Sequence, residues 1–572
     1  MDHNTLGRPK AGATSSPRTE GLRLQDGGSE IGGVTTAGDT ETDLDAGLAL
    51  GQSLIRICER NEDLLKHSEG FLPEGTLTGL LQPARVREEL RVQFPQDDPR
   101  ELDRLAKRVC YGDVANTSYR RVFAISCMVD DLATLKVLLE PETGICDGDL
   151  PLKKHGGVSF RKNSAPHASL RCFHGWDHRK IKLFDDYQWT VLAPVLGELS
   201  GDCPTFDHRM VLPLTFRSDP SEEGGNGGFS DVFKVRLHPQ HHVFSPHDPE
   251  SGDDEIFEQE LRMLGKFNSG NTHPHIVSLL TAWRQGEYSY FLFPWADSDL
   301  LKYWERHPPV NTAEYVQWVA RQTAGLAEGL AEIHDYRRKG LTVPGADEPL
   351  YGRHGDIKPE NILWFNSREG HGNLVISDFG LSAFNSRHSR SGIPNSGIAS
   401  TPTYRPPECD IMGGKISRSW DIWTLGCLYA EFATWLLGGG NLIDDFTAWR
   451  LEASRTTIYG ISMSTDTFFD LIDIQEGPDG QMMGKGARIR PIVTWWFKGL
   501  HNNRGCTQYV HDLLKFVQER MLIVESSGRE RAKCSEVVQE LHRIYDRCLL
   551  DEEYCTKPVR WGLPPDSKLP PL

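Results

Sequence analysis

The sequence predicts a two-lobed α+β fold, a small sheet lobe joined to a larger helical lobe, behind a helical accessory region and a disordered N-terminus. Three observations carry this. Strand-like runs between residues 206 and 237 precede one helical stretch, more strand-like chain and then mostly helical chain. Residues 51–205 show helical rather than alternating periodicity. Residues 1–50 are rich in Gly, Thr and Ser and hold no aromatic residue, so they cannot bury enough apolar surface to offset ordering entropy.

In the accessory region the first strong helix signal is DDPRELDRLAKRVC, with Asp98 as N-cap, Pro99 at the first helical position and Glu101 closing a capping box. Leu102, Leu105, Ala106 and Val109 follow at helical spacing, and a second helix is expected over Ser118–Leu139. The aromatic residues between Phe173 and Trp189 read as packing groups. Near residue 206 the composition changes. MVLPLTF and Val232–Leu237 read as strands flanking the cluster Gly225, Gly227 and Gly228. Helices are expected over Glu255–Phe267 and over Thr312–His334, the latter capped by Thr312. The boundaries that follow are a disordered segment 1–50, an accessory region 51–205, a two-lobed domain 206–552 and a C-terminal tail 553–572. The small lobe spans about 206–296 and the large lobe about 297–552.

The 572 residues are roughly three or four domains' worth of chain. A net charge of −17 argues against a general nucleic-acid or anionic-membrane binder, since both need a basic surface. Twelve cysteines with no C-x-x-C pair read as reduced thiols rather than a disulfide framework or a common zinc motif. The N-terminus lacks a secretory apolar core, and the longest apolar stretch, Val122–Leu139, is broken by Asp130 and Asp131. An intracellular protein, cytoplasmic or nuclear, is expected.

The strongest chemical signal is HGDIKPENIL, His354–Leu363, followed by VISDFG with Asp378. Phosphoryl transfer needs a carboxylate to take the attacking hydroxyl's hydrogen bond, a cation to offset γ-phosphate charge, and oxygen ligands for Mg²⁺. Asp356, Lys358, Asn361 and Asp378 supply these in turn. The spacing of five between Asp356 and Asn361 places both on one tight loop. The interval to Asp378 allows a hairpin, Ile362–Phe365 with Leu374–Ser377, to bring the second metal ligand alongside.

This set resembles the eukaryotic protein kinase family, and within it the kinase-like proteins of filamentous fungi, over about residues 206–550. The resemblance implies a two-lobed kinase fold, ATP with Mg²⁺ as cofactors, and a protein substrate with a Ser or Thr acceptor. It implies catalytic roles for Asp356 and Lys358 and metal ligation by Asn361 and Asp378. Gly225, Gly227 and Val232 of the glycine-rich loop, and Pro294, Trp295 and Ala296 of the hinge segment FLFPWAD, would contact ATP, with Phe293 as gatekeeper. Supporting roles fall to Glu260 on the small-lobe helix, His354 on the catalytic loop and Thr401 in STPTYRPPE. Asp421 in DIWTLG and the pair Glu408–Arg531 complete the set. Lys358 and Thr401 match the serine/threonine type.

Three departures stand out. Gly355 occupies the position where the family usually carries an arginine that receives an activation-loop phosphate. Ser230 replaces the third loop glycine. The strand lysine that would pair with Glu260 is missing, because HPQHHVFSPHDPESGDD holds no lysine. Either that strand is absent from the protein or an exon is absent from the predicted gene. Lys234 lies on the same strand face as Val232 and is the candidate substitute, although the with-no-lysine kinases place theirs at the position of Ser230. His238, His241, His242 and His247 in this stretch read as a flexible loop rather than a metal site. Two functions are therefore expected: an ATP-dependent serine/threonine kinase with an impaired site, or a pseudokinase acting as a binding or scaffolding module.

Overall fold

The computed structural model describes residues 49–62, 70–113, 117–140, 143–156, 159–197, 203–217, 232–244, 273–334, 351–367, 370–378, 383–385, 402–411, 414, 417–454, 456–458, 461–475, 482–526 and 528–560. The glycine cluster, the stretch carrying Glu260, Thr401 and the segment 1–48 lie outside these residues.

The accessory region contributes helices α1 (Leu50–Glu62), α2 (Glu74–Leu80), α3 (Pro83–Gln93), α4 (Pro99–Tyr111), α5 (Arg120–Met128), α6 (Leu135–Leu138) and α7 (His178–Thr190), with one hairpin of β1 (Lys153–His155) and β2 (Ser159–Arg161). At α4 the Asp98 carboxylate accepts the N–H of Arg100 at 2.8 Å, a cap of the Asx-turn type in place of the expected box. The single helix expected over 118–139 is two helices. Asp130 takes a left-handed φ of 57°, and Asp131 beyond it is held by Lys180 at 2.6 Å.

The small lobe is built from β3 (Thr205–Phe206), β4 (Leu214–Arg217), β5 (Val235–Leu237), β6 (Thr281–Gln285) and β7 (Tyr288–Leu292). Strand β3 runs parallel to β6, β7 is antiparallel to β6, and β4 pairs antiparallel with β5. Both β4 and β5 are shorter than the sequence suggests. Pro213 has no N–H for the ladder, so β4 starts at Leu214, and β5 starts at Val235.

The described part of the histidine stretch, 238–244, is not a loose loop, while His247 lies outside the described residues. His241 is buried, its Nε2 accepts the N–H of Glu74 at 3.0 Å, and its Nδ1 lies 3.0 Å from the Pro194 carbonyl. Phe71 meets the rings of His238 and His241 edge-on. Leu196 exchanges backbone hydrogen bonds with His241 and Val243, and packs with Val235, Leu237, Trp283 and Leu292 in one core. The accessory region and the small lobe therefore share apolar contacts. Burial pulls the His241 imidazole below its usual range, consistent with a neutral ring that accepts at one nitrogen and donates at the other.

The large lobe follows with β8 (Ser298–Asp299), α8 (Leu300–Arg306), α9 (Ala313–His334), β9 (Tyr351–Arg353), β10 (Ile362–Phe365), β11 (Asn373–Ile376), β12 (Ala383–Asn385) and α10 (Ser419–Ala453). Beyond α10 come the hairpins β13 (Thr456–Ile458) with β14 (Ile461–Met463) and β15 (Phe469–Gln475) with β16 (Met482–Ile489). The chain ends in α11 (Pro491–Asn502), α12 (Gln508–Phe516), α13 (Cys534–Leu550) and α14 (Glu552–Thr556). Helix α10 is fully buried over much of its first half and breaks at Gly439, whose φ of 72° suits glycine. Thr312 caps α9 weakly, accepting the N–H of Tyr315 at 3.4 Å. Trp304, Trp423, Trp435 and Trp496 fill the core around α8, α10 and α11. Residues 553–560, expected as tail, pack instead as α14 and a segment whose Val559 N–H donates to the Cys506 carbonyl at 2.9 Å. Among the described residues no helix is long and apolar enough to cross a membrane. The twelve cysteines form no disulfide.

Candidate active site

Strand β9 delivers the chain into the loop 354–361, and a 3₁₀ turn over Pro359–Asn361 leads it into β10. Hairpin β10–β11 pairs Ile362 with Ile376, one residue earlier on the second strand than the sequence suggests. Ser377 N–H and Oγ both bond the Asn361 carbonyl, at 2.9 and 3.0 Å. Asp378 thus follows a residue fastened to Asn361.

Three side chains converge in the loop. Asp356 is buried, and its Oδ2 lies 2.7 Å from Lys358 Nζ and 2.9 Å from Asn361 Nδ2. Asn361 Nδ2 also donates to the Asp356 carbonyl at 2.9 Å, which turns the amide so that its oxygen points away from Asp356. His354 Nε2 sits 2.9 Å from the Ser377 carbonyl, and its Nδ1 accepts the N–H of Asp356 at 3.3 Å. One neutral tautomer satisfies both bonds, with the proton on Nε2.

Asp421, on α10, holds the loop from beneath. Its carboxylate accepts the N–H groups of His354 and Gly355 at 2.9 and 2.8 Å, and lies 2.7 Å from His334 Nε2. Burial works to raise its pKa, but the His334 hydrogen bond and charge, with Arg353, outweigh this and hold the carboxyl below the usual range. Gly355 has a φ of 91°, so the position that departs from the family pattern is one where a side chain would be strained. Asp378 is exposed and left-handed, with a φ of 61°.

Glu408 and Arg531 form a bidentate pair at 2.6 and 2.8 Å. Arg531 also donates to the carbonyls of Ile523 and Ser419 and covers the Trp423 ring. Sequence reasoning missed a second network under the same segment. Tyr404 donates to Glu431, and Arg450 bonds both Glu431 and Asp466. Its one signal is a lone acid, Glu431, inside the apolar run LGCLYAEFATWLL. Arg353 was missed as well. It is buried over Trp420, with Nε and Nη1 unpaired among the described residues.

The hinge segment Phe293–Ala296 follows β7. Beyond it, Asp297 is tied to the β10–β11 hairpin through Trp364 O and Asn366 N. Val232 is half-buried. Lys234 Nζ sits over the Trp295 ring, 5.2 Å from its centre, so this ammonium lies against the hinge. The donor chemistry fits Mg²⁺: Asn361 offers an amide oxygen and Asp378 a carboxylate, both hard ligands, from adjacent backbone.

The protein kinase domain family matches residues 220–437. The chain carries a eukaryotic protein kinase domain. It is similar to cyclin-dependent kinase-like 4 of Mus musculus, 27% identical over 288 residues that cover 48% of this chain and 75% of that protein. The human protein of the same name is 27% identical and is covered over 67% of its length. Serine/threonine-protein kinase ICK of Mus musculus is 30% identical over 188 residues, 32% of this chain and 25% of that kinase. The residues of the loop 354–361 all fall within the kinase match.

Proposed function

We propose that the protein is a serine/threonine kinase that transfers the γ-phosphate of ATP to a protein hydroxyl inside the cell, with slowed turnover. The observation that carries this reading is the buried Asp356 carboxylate clasped by Lys358 and Asn361. Asp356 accepts the hydrogen bond of the acceptor Ser or Thr hydroxyl and orients its oxygen. Lys358, on the same loop, presents its ammonium to the transferred phosphoryl group. Asn361 and Asp378 supply metal oxygens. Bound Mg²⁺ neutralises phosphate charge. Asp421 is a positioning residue that keeps the loop backbone in place. Glu408 and Arg531 support the segment that would face the protein substrate.

A second reading, a pseudokinase scaffold, draws on two observations. The chain after β5 turns onto the accessory region through His241, and Lys234 lies at the hinge. Between Leu237 and Glu255 the sequence offers no lysine in place of the family's strand lysine. The test is γ-phosphate transfer by the full chain to Ser/Thr peptides, beside Asp356→Asn and with nucleotide binding followed in parallel. Transfer abolished by Asp356→Asn supports the kinase. Nucleotide binding without such transfer favours the scaffold.

A further inference from the structure

Away from the active site, three side chains meet inside the large lobe. His501 lies in the last turn of α11, Cys506 lies in the connection, and His511 sits one turn into α12. All three are buried, Cys506 and His511 completely and His501 to 6% exposure. The two imidazole planes are nearly parallel, with ring centres 5.1 Å apart. Their Nδ1 atoms are 2.7 Å from one another, and Cys506 Sγ is 3.6 Å from His511 Nδ1. The ligand atoms of all three residues fall within 4.8 Å of each other.

We propose that His501, Cys506 and His511 bind a zinc-class ion that fastens the C-terminal segment to the large lobe. Mixed imidazole and thiolate ligands select zinc among the common ions, because hard cations take oxygen. Zinc–nitrogen bonds of about 2.0 Å and zinc–sulfur bonds of about 2.3 Å at tetrahedral angles place N and S about 3.6 Å apart. The Cys506–His511 separation has this value. The same geometry sets two nitrogens about 3.3 Å apart, so the imidazoles must open by roughly 0.6 Å from the 2.7 Å seen here.

The outer contact suits a ligand. His511 Nε2 lies 2.9 Å from the Val559 carbonyl, so its proton resides there and Nδ1 presents a lone pair to the cluster. Without an ion, the 2.7 Å contact needs a proton on His501 Nδ1. On binding, that proton moves to Nε2 through solvent, and the Cys506 thiol releases its proton to solvent. The three protein ligands leave one position for water. Val559 N–H bonds the Cys506 carbonyl and Pro558 bridges Thr507, so the ion would clamp α11, α12 and residues 558–559 at one point. The spacing His-x₄-Cys-x₄-His escapes any search built on C-x-x-C.

The test uses the full chain. Metal analysis after purification should find one zinc per chain. After chelator treatment, cobalt(II) should give a thiolate charge-transfer band that Cys506→Ser abolishes and that zinc displaces. Zinc should raise the melting midpoint of the chelated wild type but not of Cys506→Ser or His511→Gln. If the variants do not fold, the cobalt band and the zinc-dependent midpoint of the wild type decide alone. A wild type with no cobalt–thiolate band and no zinc-dependent midpoint overturns the proposal and leaves a buried hydrogen-bonded trio. Folded Cys506→Ser that keeps full zinc also overturns it, by placing the ion elsewhere.

Discussion

Asp421 Oδ1 accepts the backbone N–H of Gly355 at 2.8 Å, across 66 residues of chain. The bond fixes the His354–Gly355 peptide, one residue before Asp356, and it is made while Gly355 is in a left-handed conformation. An anchoring carboxylate and a permissive glycine together set where the candidate catalytic carboxylate stands.

Restoring the family arginine at this position should therefore harm the protein. Gly355→Arg and Gly355→Ala should each lose about 1–2 kcal/mol of stability, the penalty for a side chain at left-handed φ. Urea denaturation of the two variants checks this. Equal stability to wild type would mean that the loop backbone can rearrange without cost.

Acid should destabilise the protein through His275, whose imidazole lies against the Leu374 carbonyl of the large lobe. Burial is the main cause that moves its pKa from the usual 6.5 to about 4, and the Leu374 carbonyl at 2.7 Å offsets this only in part. Between those two values the unfolded chain binds the extra proton, so stability rises with pH there and is complete above about 6.5. It is lost as pH falls toward 4, at a slope approaching about 1.4 kcal/mol per pH unit. Asp421, with its pKa held down, acts in the same direction but only below the ordinary carboxylate range. Urea midpoints measured across this window should fall with pH, and His275→Gln should flatten the dependence.

The two acidic residues of the candidate site should separate in calorimetry. Asp378→Asn removes the charged metal ligand and should weaken binding of Mg·ATP. Asp356→Asn should leave that binding nearly intact while removing turnover. Equal loss of affinity in both variants would contradict the assigned roles.

Lys234 tests whether a neighbouring cation replaces the missing lysine. Its ammonium covers the Trp295 ring, a contact of the kind that contributes about 0.5–1 kcal/mol. Lys234→Ala should thus cost little stability and lower nucleotide affinity only modestly. A fall in turnover of about 10²-fold or more, as when a preorganised donor is removed, would assign Lys234 to the phosphates instead.

Much of the candidate site was legible because its chemistry is local. Asp356, Lys358 and Asn361 lie within six consecutive residues, so spacing alone puts them on one loop, and the short β10–β11 hairpin carries the chain to Asp378. The periodicity over Thr312–His334 likewise reports a helix whose apolar face meets the core. Local pattern failed where distant packing decided. Asp130 and Asp131 break a helix that periodicity favours, because left-handed backbone and the Lys180 ion pair hold the chain there.

The amino-acid sequence by itself determined the candidate residues of the loop 354–361, the two-lobed order of strands before helices, and the absence of a lysine between Leu237 and Glu255. Tertiary structure alone decided that the histidine stretch docks on Glu74 and Phe71, that Lys234 faces Trp295, and that His501, Cys506 and His511 converge. The physical reason is range. Turn and helix preferences act over a few residues, whereas a buried polar group is satisfied by whichever partner the packed core brings within hydrogen-bond reach, however far away in the chain.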